Sequence, residues 1–370
     1  MSDERVGLPG HDFAERGGLS PAVGQRVDRP IAEQAFALGA VLRVLRPLIG
    51  DGAVLAAGTD TTLERQAQRT DPPAVSPCDP LESPGARSVD LSASPGASAF
   101  LDGIQRSRLI GHVSGSPIVF GTVAAVVRRR VARRLETWAK PRVRRALFAS
   151  RIQLGESAWQ QLTETGLPVV DVTEGVSAES VSPHPMALRA RALELVALER
   201  ELAERRLAAA WCERETEWLW IDGGIAGNVA IDDRAPAFGV VKSHNTLYGD
   251  VNAVRDVLAL REGERSPAFL VGHRPRRAVA SWYLRLRDAP NGDPLHGLVR
   301  VEVAPPSSIP PSSTPHATAV ATTAFSVHAD TLSSWILAER APLSLPDLRW
   351  DTLTYGVRAC EEYLKSIIGS

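Results

Sequence analysis

Two aspartates stand where chemistry is possible. Asp102 closes the apolar run Ala99-Phe100-Leu101, Asp222 closes EWLWID over 217–222, and glycine follows each. A carboxylate at the end of a buried strand is costly unless something compensates its charge. Two such groups together can hold a hard divalent cation, whose preferred ligands are oxygens. Mg²⁺ or Mn²⁺ held this way can activate water and stabilise the leaving oxygen in phosphodiester cleavage. Either Asp-Gly alone is also an ordinary turn signal. Their recurrence, each behind an apolar strand, favours the chemical reading.

A third carboxylate can come from the helix expected over 187–211, which lies between the two aspartates. At 100° per residue, Leu188, Leu195 and Leu202 set an apolar stripe with Glu199 near its middle. Glu194 and Glu201 share one flank of that stripe, beside Leu198. Position favours Glu194 and Glu201, whereas Glu199 would need a partner on an apolar face. Any one of these glutamates could equally be a solvated charge. Lys242 ends the strand AFGVVK and could aim a positive charge at a phosphate. It is one of only three lysines among 42 basic residues, so arginine would be the commoner choice at an unconstrained position.

The remaining elements must bring these residues together. Strands are expected at 99–101, 117–127, 168–172, 217–222 and 237–242, and paired strands at 278–286 and 297–303. Helices are expected over 31–48, 251–260, 329–340 and 351–368. Residues 70–98 are rich in Pro, Ser, Ala and Gly and read as a connection, and 305–315 as an exposed loop. The chain therefore divides into an N-terminal extension, 1–97, and a larger unit, 98–370.

With 44% hydrophobic and 23% charged residues the composition is that of a globular chain, not a fibrous or disordered one. No apolar run is long enough for a membrane span, and the polar first 15 residues do not resemble a signal peptide. Cys78, Cys212 and Cys360 have no metal spacing and fit a reducing cytoplasm. The net charge of −1 hides two basic runs. Residues 128–151 carry ten basic residues against Glu136, interleaved with Trp138 and Phe148. Residues 261–287 carry seven arginines with Trp282 and Tyr283. Such runs suit a phosphate backbone with bases stacked on aromatics, and a solvated helical face is the plainer alternative. Arg128, Arg133, Arg285 and Arg300 are the candidate nucleic-acid contacts.

Taken in order, FLDG (100–103), the long Glu-bearing helix, WLWIDGG (218–224), FGVVKS (238–243), SWYLRL (281–286) and GLVRVEV (297–303) resemble the NurA nuclease family. The match spans about Phe100 to Val303. It implies an α/β fold, an RNase H-like mixed β-sheet flanked by helices, with extra N-terminal and C-terminal helical segments here. It also implies a Mn²⁺-preferring (or Mg²⁺-using) DNA nuclease with 5′-to-3′ exonuclease and single-strand endonuclease activity in DNA end processing. A homodimer acting on DNA beside a HerA-type hexameric ATPase is part of the same implication. Carried over by position, Asp102 is the first metal-binding Asp and Asp222 the last carboxylate of the core. Glu194 and Glu201 compete for the helical ligand, Lys242 matches the family lysine, and Arg300 with Glu302 matches its Arg-x-Glu strand. The family also places a His near the C-terminus. Here the last histidine is His328, and the closing helix offers Tyr355 and Glu361 instead. That departure favours an alternative, a catalytically inactive RNase H-like module that binds DNA or a partner. A two-carboxylate hydrolase acting on glycans is a third reading, one that needs neither metal nor basic tracks.

Overall fold

The computed structural model describes Arg43 and residues 72–91, 96–132, 134–175, 184–226, 228, 230–272, 278–288, 292–305, 315–340 and 354–368. Apart from Arg43, the helix expected over 31–48 lies outside these residues, as do Arg133 and residues 306–314 of the expected Pro/Ser loop.

Three short strands come first: β1 (Ala74–Ser76), β2 (Asp79–Pro80) and β3 (Arg87–Ser88). A long hairpin follows, β4 (Ala99–Val113) and β5 (Ser116–Val131), then β6 (Arg134–Thr137), β7 (Arg142–Ala149), helix α1 (Arg151–Thr163) and β8 (Val169–Asp171). Helix α2 (Pro185–Arg214) leads to β9 (Leu219–Asp222), β10 (Ala237–Val241), β11 (Thr246–Tyr248) and helix α3 (Val251–Leu258). Strands β12 (Glu264–Arg265), β13 (Phe269–Val271), β14 (Val279–Arg285) and β15 (Leu298–Val303) precede helices α4 (Pro315–Ala338) and α5 (Tyr355–Ile368).

Most strands join one mixed sheet in the order β2-β13-β14-β15-β10-β9-β4-β5-β7-β8. Its centre holds three mutually parallel strands, β4, β9 and β10, while β5 runs antiparallel to β4. Neighbours β4 and β9 pair only from Ala99↔Leu219 to Leu101↔Ile221, yet β4 continues to Val113. The sheet therefore has a step beside Asp102, where the β4 edge is no longer paired by β9.

Helices cover both faces. On one, α4 and α5 enclose Phe100, Trp220, Phe238 and Trp282 in the largest apolar cluster. On the other, α2 packs against β4, β5 and β9 through Val196, Leu207, Ala208 and Trp211. Pro185 occupies the first turn and the His184 ring accepts from Met186 N at 3.1 Å, supplying one of the hydrogen bonds a helix start lacks.

The run over 70–98, expected as a connection, contributes strands. β1 pairs with β11, β2 with β13 and β3 with β12, so residues 74–88 are built onto sheet edges. Pro80 is tolerated because β2 is an edge strand. The tie is ionic as well. Arg265, fully buried on β12, holds Glu82 through two hydrogen bonds of 2.7 and 3.1 Å and Asp330 of α4 at 2.5 Å.

Among the described residues no helix is long and apolar enough to cross a membrane.

Candidate functional site

Asp102, Asp222 and Lys242 meet at the sheet step. They line a cleft of about 190 Å³ with Gly103, Ile104, Arg200, Thr354, Val357, Arg358 and Glu361. The parallel strands β4, β9 and β10 deliver the first three side chains at the same end of the sheet, the α5 residues close one side, and Arg200 of α2 reaches in from the other. Lys242 Nζ sits 2.7 Å from Asp222 Oδ1. Asp102 is 7% exposed, and its Oδ1 accepts from Gly103 N at 2.7 Å. Burial drives the Asp102 carboxyl well above the usual range; the nearby charges of Asp222 and Glu204 add to this, and Lys242 opposes it.

The helical carboxylate whose charge acts on Asp102 is Glu204, packed against Gly103 behind the cleft lining, and not one of the glutamates expected from sequence. Glu204 is buried, and Arg200 Nη1 bonds its Oε1 while Arg200 Nε donates to Gln105 at 3.2 Å. Burial lifts its pKa to about 7, Asp222 and Glu201 push the same way, and Arg200 pulls it back. The three glutamates proposed from sequence lie elsewhere. Glu194 pairs with Arg191, Glu201 with Arg205 at 3.1 Å, and Glu199 with Arg144 of β7.

The phase of α2 explains the miss. Its buried positions are Leu188, Ala192, Leu193, Val196, Glu204, Leu207, Ala208 and Trp211, whereas Leu198 is 43% exposed. Counting leucines alone rotated the stripe, because alanines occupy the closest approach. The sheet meets them with glycines: a β-carbon at Gly121 would lie 2.7 Å from Val196 Cγ2, and one at Gly103 would fall on Glu204 Oε1. A Glu in phase with Val196 and Ala208, opposite the Gly of the first Asp-Gly, was the available signal.

Two predictions follow from this contact. Gly103→Ala should displace the Glu204 carboxylate and lower any activity of the site by about 100-fold, the scale of a 1 Å misplacement, while the melting temperature stays close to wild type. Wild-type activity in that variant would remove Glu204 from the site. The second concerns pH. With a folded pKa near 7 against 4.5 when exposed, the folded protein binds the extra proton between these values. Glu204 therefore favours folding below pH 4.5, and this contribution is lost as pH rises to 7. Melting curves in chelator should show wild-type stability falling over that window relative to Glu204→Gln; parallel profiles would contradict it.

Asp222 is held in place from behind. Its turn continues through Gly223 (φ 120°), whose N–H bonds Val240 O at 2.9 Å, to Ile225, whose N–H donates to Glu302 Oε2 at 2.8 Å. Arg300 Nη1 donates to the other Glu302 oxygen at 2.6 Å, and its guanidinium stacks 5.0 Å from the Tyr248 ring centre. The Arg-x-Glu pair thus lies inside the protein, fixing the loop after Asp222.

Other expected contacts are also internal. Arg285, 2% exposed, spends its donors on the carbonyls of Leu258, Leu260, Pro294 and His296. Arg128 bonds Leu135 O and lies over the Tyr363 ring at 4.5 Å. Trp138 stacks edge-on with Trp211 and donates to Glu215 at 2.7 Å. Trp282, Tyr283 and Phe148 are buried. Among the described residues of the two runs, Arg128, Arg129, Arg130, Arg144, Arg265 and Arg285 spend their charge on partners within the fold. His328 sits against Trp218 and Phe325, at the start of β9, the end opposite Asp222. Tyr355 is exposed, and α5 instead presents Glu361 to the cleft, paired with Lys365 at 2.8 Å.

Among the described residues no three His, Cys, Asp or Glu side chains stand close enough to hold a metal ion as placed. Lys242 on Asp222 and Arg200 on Glu204 supply the positive charge instead. Comparison with protein-family models and with characterised proteins gave no match for this chain.

Proposed function

We propose that the chain is a metal-dependent deoxyribonuclease on an RNase H-like sheet. The observation that carries this reading is the meeting of Asp102, Asp222 and Lys242 in one cleft at the sheet step, with the charge of Glu204 felt by both aspartates. A mixed sheet with helices on both faces agrees with the resemblance to NurA nucleases, which also supplies DNA as substrate, a dimer and a HerA-type ATPase partner.

The donor set suits a hard divalent cation. Asp102 and Glu204, whose ionisation is opposed by burial first and by neighbouring carboxylates second, gain most from one. Asp102, Asp222 and Glu204 are the groups that would hold it, after side-chain movement from the positions described, in which no three stand close enough. Bound there, Mn²⁺ or Mg²⁺ supplies Lewis acidity toward a phosphodiester. Lys242 places a cationic group at the mouth of the cleft, where charge develops on phosphate oxygens. Arg200 orients Glu204, and Glu302 holds the turn that orients Asp222.

Digestion of end-labelled single- and double-stranded DNA in Mn²⁺ or in chelator tests the proposal. Cleavage is expected only with metal; absent or chelator-resistant cleavage overturns it. The inactive-module reading draws on the same ion pairs, since Lys242 and Arg200 already neutralise two carboxylates. On that reading Mn²⁺ leaves the melting temperature unchanged. The nuclease reading expects a rise that Asp222→Ala abolishes.

A further inference from the structure

The closing helix α5 starts at the cleft with donors that the fold leaves unmatched. Asp102 and Asp222 stand two residues beyond Phe100 and Trp220 on their strands, so they share the sheet face that α5 covers. Thr354, Val357, Arg358 and Glu361 line the cleft from that side, at the spacing of one helix face.

Thr354 immediately precedes α5, where a threonine hydroxyl ordinarily accepts from an N–H of the first turn. Here it does not. Thr354 is 1% exposed, and its Oγ1 has no hydrogen-bond partner. The backbone at the same corner is also unmatched, since a helix start lacks intrahelical acceptors for its first N–H groups. Tyr355 N donates to Glu339 O at 3.0 Å, and Arg358 N to Thr354 O at 3.0 Å. No acceptor stands among the described residues for Gly356 N or Val357 N. The turn is held rigidly against β4. A β-carbon at Gly356 would fall 2.4 Å from the Phe100 ring, and Cys360 Sγ donates to Phe100 O at 3.3 Å.

A buried hydroxyl and two N–H groups at the positive end of a helix dipole suit an anion. The cationic side chains of the cleft are already engaged, Lys242 with Asp222, Arg358 with Glu362 and Arg200 with Glu204. The neutral donors therefore define the site. Burial favours the uncharged form of Asp102, and Glu361 lies seven residues along α5, about 10 Å from Thr354. At about 190 Å³ the cleft is smaller than the roughly 300–1,000 Å³ that encloses a drug-sized ligand, which fits one tetrahedral group.

We propose that Thr354 Oγ1 and the Gly356 and Val357 N–H groups form an oxyanion subsite of the cleft that takes one phosphate group. The choice of phosphate rests on the nuclease reading. The subsite itself concerns binding alone and needs neither metal nor cleavage.

The test is the melting temperature of full-length protein in chelator, titrated with sodium phosphate against sodium chloride of equal ionic strength. Phosphate should raise it in wild type and in Thr354→Ser. Thr354→Val keeps the shape and loses the hydroxyl, so its apparent affinity should fall about 10- to 100-fold, the scale of one hydrogen bond to a charged group. Without phosphate, Thr354→Val should melt at the wild-type temperature or above, because the hydroxyl has no partner to lose. A variant that melts several degrees lower would make Thr354 an ordinary helix cap and overturn the proposal. No phosphate response in wild type, or an equal response in Thr354→Val, also overturns it. The amide resonances of Gly356 and Val357 give a reading that needs no variant: phosphate should shift them, and unmoved resonances sink the subsite. Methyl phosphate and dimethyl phosphate in the same titration separate a chain-end phosphate from a diester link. A response to either through Thr354 supports the subsite, and a response to neither overturns it. Phosphate binding through Thr354 without Mn²⁺-dependent DNA cleavage would leave the subsite standing and sink the nuclease reading.

Discussion

Asp102→Asn is expected to lower Mn²⁺-dependent DNA cleavage by about 10²–10³-fold or more, the scale on which loss of one preorganised electrostatic group acts. The same variant should fold as well as wild type or better. Asp102 is buried beside Asp222 and Glu204, and its raised pKa means that the ionised form opposes folding. A group with a raised acid pKa stabilises the fold at low pH and ceases to do so as pH rises through the folded value. Asparagine keeps the shape and removes the charge, so at neutral pH the metal-free variant should melt at the wild-type temperature or a few degrees above it. Opposite effects on rate and stability mark a residue held for chemistry, not for packing. A variant that loses activity only because it unfolds, or one that cleaves at the wild-type rate, would falsify the assignment.

Arg265→Ala should be the most damaging single change to stability. Arg265 is fully buried and Glu82 nearly so, joined by a two-pronged ion pair that Ala268 N and Ser326 extend. Burial alone would raise the Glu82 pKa, but its bonds to Arg265 and Ser326 outweigh that and hold it low. Removing the guanidinium leaves a buried carboxylate whose nearest remaining cation, Arg87, is 3.6 Å away. Breaking a buried pair this way costs about 3–5 kcal/mol. Denaturant titration should show that loss, and Glu82→Gln/Arg265→Met should recover much of it because no buried lone charge remains, the Asp330 side chain being 46% exposed. A loss under about 1 kcal/mol in Arg265→Ala would show that the N-terminal strands are not tied to the sheet through this pair. Since the Glu82 pKa is lowered in the folded state, its stabilisation is present above the ordinary carboxylate range and is lost as pH falls through the folded value.

The strands that carry Asp102, Asp222 and Lys242 were legible because each is a short apolar run with a polar residue at its end. Burial of a strand imposes that pattern locally, so no partner need be known. The long helix was equally plain. Which of its glutamates faces the sheet was not, since rotation about the axis is set by close contact of Glu204 with Gly103 and of Val196 with Gly121, 101 and 75 positions away on β4 and β5. The basic runs misled for a related reason. Arginine in a sequence shows charge but not direction, and the fold turned Arg265, Arg285 and Arg300 inward to satisfy carboxylates and carbonyls. The strands at 74–88 were hidden because edge pairing is made by backbone groups, which any composition supplies. By itself the sequence determined the elements and the polar residues at their ends. Tertiary structure decided which charges meet, because long-range register and helix rotation arise only from packing between segments distant in the chain.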